Sequence, residues 1–115
     1  MKNPLEYMDG YFRFYKTQVD NTNDFPEIRL VDTKMDIWYR ELSVFDRTRH
    51  EFNQNGKEVT MKIRIPRYKG IDSSCVCAIG GVQHQVYNVA HVIDKSGFPE
   101  TEITLIKPER QLSVV

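Results

Sequence analysis

"KEVTMKIRI" (residues 57–65) decides how this chain is read. Val59, Met61, Ile63 and Ile65 fall on one side of an extended segment, and Thr60, Lys62 and Arg64 fall on the other. A strict period of two is the signature of a strand with one face buried and one face wet. Pro66 follows and stops the strand or marks an edge, because proline has no N–H to give to a ladder.

Outward from this strand the same period recurs. "YFRFYKTQV" (11–19) sets Tyr11, Arg13, Tyr15, Thr17 and Val19 against Phe12, Phe14, Lys16 and Gln18. "TKMDIWYREL" (33–42) sets Met35, Ile37 and Tyr39 against Asp36, Trp38 and Arg40. Between them, "DNTNDFPE" (20–27) is turn chemistry throughout. On the other side, "SCVCAI" (74–79) runs into Gly80-Gly81, a pair suited to a tight hairpin. "VQHQVYNVAHVI" (82–93) is a long strand whose alternation slips near residues 88–90, which predicts a bulge. "DKSG" (94–97) is a turn, "TEITLIK" (101–107) closes the series, and Pro108 with the residues after it reads as peripheral.

Six extended segments with short connections predict a mainly β chain: a small six-stranded, mostly antiparallel β-barrel, in which closure removes the exposed edges. The exception lies between strands 2 and 3. Over residues 43–54, Phe45, Thr48 and Phe52 share one helical face, and Ser43 with Asp46 resembles a capping box, so one short helix feeding a long loop is expected there. At 115 residues the chain has room for a single domain, 1–115.

Composition narrows the function. Sixteen basic residues cancel sixteen acidic ones, so no global attraction draws the chain to nucleic acid or to an anionic membrane. No apolar run approaches the ~20 residues that span a bilayer, and "MKNPLEYMDG" (1–10) lacks the apolar centre of a secretory signal. Cys75 and Cys77, one residue apart on a strand, cannot bridge each other; a reducing cytoplasm is the expected place of synthesis. They read as half-buried or buried thiols on one face of the strand. His84 and His91 point to opposite faces unless a bulge intervenes, and no further ligand stands at zinc spacing, so no metal and no cofactor are expected. Asp94, Glu100 and Glu102 read as turn and solvent-facing residues, and no catalytic motif is present, so the chain is not expected to be an enzyme. "KIRIPRYKG" (62–70) interleaves basic with aliphatic and aromatic residues, which keeps a nucleic-acid-binding barrel as an alternative.

Residues 33–109 resemble the phage head–tail joining family, also called head-closure, stopper or head–tail connector proteins. The family pattern is a basic strand ending in Arg-Tyr, a variable residue and Gly-Ile, then a strand, a glycine turn, a strand, an Asp/Gly turn and a last strand ending near Glu. Arg67, Tyr68, Gly70 and Ile71 match its first part, Gly80 or Gly81 the turn, Val86, Tyr87 and Val89 the strand centre, and Asp94 with Gly97 the last hairpin. Ile37-Trp38 followed by "ELSVFDRTR" (41–49) is similar to the family's second strand and helix-loop. The first thirty residues depart from the pattern, being longer and more irregular than the usual first hairpin.

The resemblance implies a homo-oligomeric ring in the virion neck, at the head–tail interface. Its partners would be a portal-bound adaptor on the head side, a tail-completion or terminator protein on the tail side, and packaged double-stranded DNA held without sequence specificity. Neighbouring neck and tail proteins share such barrels, so an adaptor or tail-completion role is the near alternative. The segment between strands 2 and 3 would extend into the channel as a plug, carried by Asp46, Arg47, Thr48, Arg49, His50, Glu51, Asn53, Gln54, Asn55 and Gly56. Asn53, Gln54 and Asn55 can hydrogen-bond between copies at the ring axis; Arg47 and Arg49 can meet Asp46 or Glu51 of a neighbour, or DNA phosphates. Phe45 and Phe52 would pack the helix on the barrel.

Overall fold

The computed structural model describes residues 7–21, 25–43, 58–109 and 111–114. They form six strands: β1 (Gly10–Asp20), β2 (Glu27–Leu42), β3 (Val59–Pro66), β4 (Val76–Ile79), β5 (Val82–Ile93) and β6 (Pro99–Ile106). All neighbours are antiparallel, and the sheet closes on itself in the order β1-β2-β3-β6-β5-β4. The expected six-stranded barrel is the observed one. No helix occurs among the described residues; the helix expected over 43–54 falls almost wholly outside them.

The interior is filled from every strand and from the connection after β3. Phe12, Phe14, Tyr39, Ile63, Ile65, Ile71, Cys75, Cys77, Val86, Ile103 and Leu105 form one buried cluster. The alternation of β3 holds, with Val59, Ile63 and Ile65 buried and Lys62 and Arg64 on the outer side. Each large aliphatic or aromatic side chain removed from water here contributes roughly 1.5–3 kcal/mol, which is what makes register non-negotiable: a one-residue slip would turn this set outward.

Two tight turns follow the sequence reading. Ile79 pairs with Val82 across Gly80 and Gly81, whose φ angles of 58° and 80° give the two left-handed residues of a type I′ hairpin. At the β5–β6 turn, Asp94 accepts hydrogen bonds from the N–H groups of Ser96 and Phe98, and Gly97 sits at φ 86°. The β5 bulge lies between Val86 and Asn88, slightly before the predicted position, leaving Tyr87 as the extra residue.

The first hairpin corrects the sequence reading. β2 has sixteen residues and begins at Glu27, so the stretch taken as irregular continues the strand. What disguised it is a two-residue insertion: Phe14 pairs with Met35 but Tyr15 pairs with Asp32. Thr33 and Lys34 are the surplus. Lys34 adopts φ 61°, Asp32 accepts its N–H at 2.7 Å, and the Thr33 hydroxyl donates to the Phe14 carbonyl at 2.6 Å.

The bulge marks where the hairpin changes its buried side. Below it the inner residues Phe12, Phe14 and Tyr39 are buried. Beyond it the same side carries Lys16, Gln18 and Arg29, and the opposite side carries Thr17, Val19, Ile28 and the fully buried Leu30. Met35 stands at this transition and is part-exposed.

An L-residue held at positive φ is strained by roughly 1–2 kcal/mol. Lys34→Gly is therefore expected to be neutral or to stabilise by up to about 1 kcal/mol, and Lys34→Val to destabilise by about 1–2 kcal/mol, in urea unfolding.

Candidate functional site

The segment singled out by sequence springs from β2 and returns at β3. Its predicted plug residues, 46–56, lie outside the described residues. Its two roots are within them, and they are unusually well tied. β2 and β3 share only three register pairs, Arg40 with Arg64, Glu41 with Ile63, and Leu42 with Lys62. So short a ladder would fray if backbone bonds alone held it.

A network of charges on the outer face reinforces it. Glu100 of β6 has no exposed surface. Its carboxylate accepts from Arg40 at 3.1 and 3.2 Å, from Arg64 at 3.4 Å and from the Tyr7 hydroxyl at 2.7 Å. Glu102 accepts from Nε of Arg64 at 3.1 Å and from its Nη2 at 3.0 Å, and Lys62 lies 3.6 Å away. Burial opposes the charge on Arg64, but the hydrogen bond and charge of Glu102, with help from Glu100, outweigh it and raise the guanidinium pKa. The array joins both roots to β6. Asp9 adds a stitch beside it: its N–H donates to the Tyr39 carbonyl, and its carboxylate accepts from the Glu41 N–H at 2.7 Å. On the returning side, Lys107 N–H donates to the Glu58 carbonyl at 2.8 Å.

Glu100 was read as solvent-facing, and here that reading fails. Part of the signal lies in the register: Arg64 on β3 pairs directly with Glu102 on the neighbouring β6, the cross-strand arrangement that favours opposite charges, and Glu100 stands two residues from Glu102 on the same face. Tyr7, which closes the network, carried no such signal.

The same contacts change the meaning of "KIRIPRYKG". Lys62 and Arg64 are engaged by carboxylates, and Arg67 donates to the Val92 carbonyl at 2.8 Å. A stripe that looks basic in sequence is largely neutralised or engaged within the fold, which removes most of the charge a phosphate backbone would need.

The remaining motif residues are mostly structural. The connection from β3 to β4 crosses one end of the barrel, because those strands are not neighbours. Tyr68 sets its ring edge-on to Phe14, with centroids 6.0 Å apart, and its N–H donates to the Thr101 hydroxyl at 2.9 Å. Gly70 lies directly against that ring, where a Cβ would come within 2.6 Å of the phenol carbon. Ile71 is buried in the core. Trp38 differs: it is half-exposed on the outer face beside Tyr11, with centroids 5.3 Å apart.

The β5 bulge does bring His84 and His91 to one side of the strand, but far apart along it. His84 meets the Thr60 hydroxyl at 2.9 Å, and His91 meets that of Thr101 at 3.0 Å. Cys75 and Cys77 are buried free thiols, pushed up in pKa by that burial. Among the described residues, no group of three or more His, Cys, Asp or Glu is placed to hold a metal ion. No family model matches the chain, and no curated protein is significantly similar to it.

Removing the Glu100 carboxylate leaves Arg40 and Arg64 without their shared partner. Glu100→Ala is expected to cost about 2–4 kcal/mol in urea unfolding, less than the full penalty for a broken buried pair because both arginines keep contact with water. Gly70→Ala should cost about 1–3 kcal/mol by forcing the Tyr68 ring off Phe14, read in the same assay and by near-ultraviolet circular dichroism. Burial lowers the His84 pKa. Its contribution to stability is thus full above the ordinary histidine value of about 6.5 and is lost as pH falls through the lower folded value. His84→Gln should flatten that part of the stability-against-pH curve.

Proposed function

We propose that this chain is a structural phage neck protein, one copy of a ring that closes the path from head to tail, retains packaged DNA and presents a docking surface to the tail. The observation that carries the reading is the closed six-stranded barrel interrupted between β2 and β3 by one long polar excursion whose roots are clamped to β6. A device that closes a path needs a rigid body and one adaptable segment. The clamp supplies the first, and residues 44–57 are the candidate for the second.

The resemblance of residues 33–109 to head–tail joining proteins supports the same reading. So does the internal pairing of the basic strand, which disfavours the nucleic-acid-binding alternative. The partners of this reading are further copies of the chain, a portal-bound adaptor, a tail-completion protein and DNA contacted through its backbone. No step of covalent chemistry is needed.

Deleting residues 50–56 in the encoding phage is expected to give heads that package DNA and then lose it, seen as empty particles by electron microscopy. Particles that keep their DNA and take up tails normally would overturn the gating role. The purified chain is expected to show no retention on single- or double-stranded DNA at physiological salt; tight binding that weakens steeply with salt would favour the alternative.

A further inference from the structure

The residues after β6 were read as peripheral, yet they are docked. Leu30 N–H donates to the Ser113 carbonyl at 2.8 Å, and Leu30 pairs with Val114 as a parallel bridge. The Gln83 side chain holds both backbone groups of Leu112: its amide donates to the carbonyl at 2.7 Å, and its oxygen accepts the N–H at 2.9 Å. A side-chain amide used in this way imitates a neighbouring strand and reads an extended backbone, whatever side chain that backbone carries.

The seat is formed by the outer side of the first hairpin beyond its bulge, facing the outer side of β4 and β5. Thr17, Ile28, Val76, Gln83, Gln85 and Leu112 line a cleft of about 540 Å³ there. The tail fills it incompletely: Ile28 in the cleft wall and Val114 on the tail itself stay about half exposed. The segment leaves the barrel at Lys107, whose N–H donates to the Glu58 carbonyl at 2.8 Å. Pro108 follows that residue and cannot extend the β6 ladder.

We propose that this groove is an exchangeable strand site, and that the 111–114 segment of a second copy occupies it in assemblies of the chain. The occupant is specified by what already sits there: a neighbour carries the identical segment, so exchange needs no contact the monomer lacks. Reach limits the geometry. Five residue steps separate Lys107 from Leu112 and span at most about 18 Å, so the neighbour's groove must lie within that distance of the donor's β6 end. Exchange of this kind, from each copy to the next, links copies head to tail, and it closes if the rotation per copy closes. The proposal stands apart from the neck reading and concerns the purified chain alone.

Ile28 and Leu112 both line the cleft, each two residues before the parallel bridge of Leu30 with Val114, which gives the test. Full-length Ile28→Cys and full-length Leu112→Cys are mixed over a range of concentrations under mild oxidation, and disulfides are mapped by peptide mass spectrometry. Each variant has one new thiol, and the native cysteines are buried, so a 28–112 link can form only between copies. The expected result is a 28–112 link that grows with protein concentration, exceeds 28–28 and 112–112 links, and falls about fivefold or more when Gln83→Ala removes both backbone contacts. Equal yields of the three links, or no 28–112 link while the double variant closes fully within one chain, would overturn it.

Discussion

A carboxylate shut away from water holds this barrel together at its narrowest seam. The first hairpin joins the remaining four strands through only two short ladders, three register pairs between β1 and β4 and three between β2 and β3. At the second of these, Glu100 gathers Arg40, Arg64 and Tyr7 from three separate parts of the chain. Burying a charge is costly, and a buried pair rarely outperforms a hydrophobic substitute in raw stability. What it supplies here is position. A carboxylate between two guanidinium groups accepts few alternative geometries, and so it fixes where the strands bounding residues 43–58 must stand.

The rest of the molecule divides around that seam. Inward, Phe12, Phe14, Ile63, Ile103 and Leu105 account for closure. At one end, Tyr68 and Ile71 cover the core by way of the connection from β3 to β4. Outward, the hairpin beyond its bulge turns its apolar side to the opposite surface and there meets the residues after β6. The described residues thus form a packed interior and, outside it, a partly filled groove beside the tail, with the two-residue insertion at Thr33 and Lys34 marking the change of side.

Much of the fold was legible because strands advertise themselves by alternation and turns by glycine. β3, the Gly80-Gly81 hairpin and the Asp94–Gly97 turn stand where the sequence places them. The first hairpin was obscured by a physical event that leaves no period: an insertion that moves the buried side from that of Phe12 and Phe14 to that of Leu30, so that neither face of β1 or β2 reads as consistently apolar. Glu100 was misread for a related reason. Exposure of a charged residue was inferred from its own identity, when its environment is set by Arg40 two strands away and by Tyr7, which is 93 residues distant in sequence. The docking of Leu112 by Gln83 was invisible, because backbone recognition by an amide side chain makes no demand on the sequence it recognises.

Six strands enclose too little space for anything but their own side chains, and Tyr68 caps what remains. Each barrel is therefore a solid post with no lumen. Any conduit made from this protein has to be walled by the outsides of several posts, so its width would depend on how many stand together rather than on the barrel itself. Substitutions inside the barrel would then alter the firmness of the wall, while its bore would answer to the outward-facing residues of the strands and to residues 44–57.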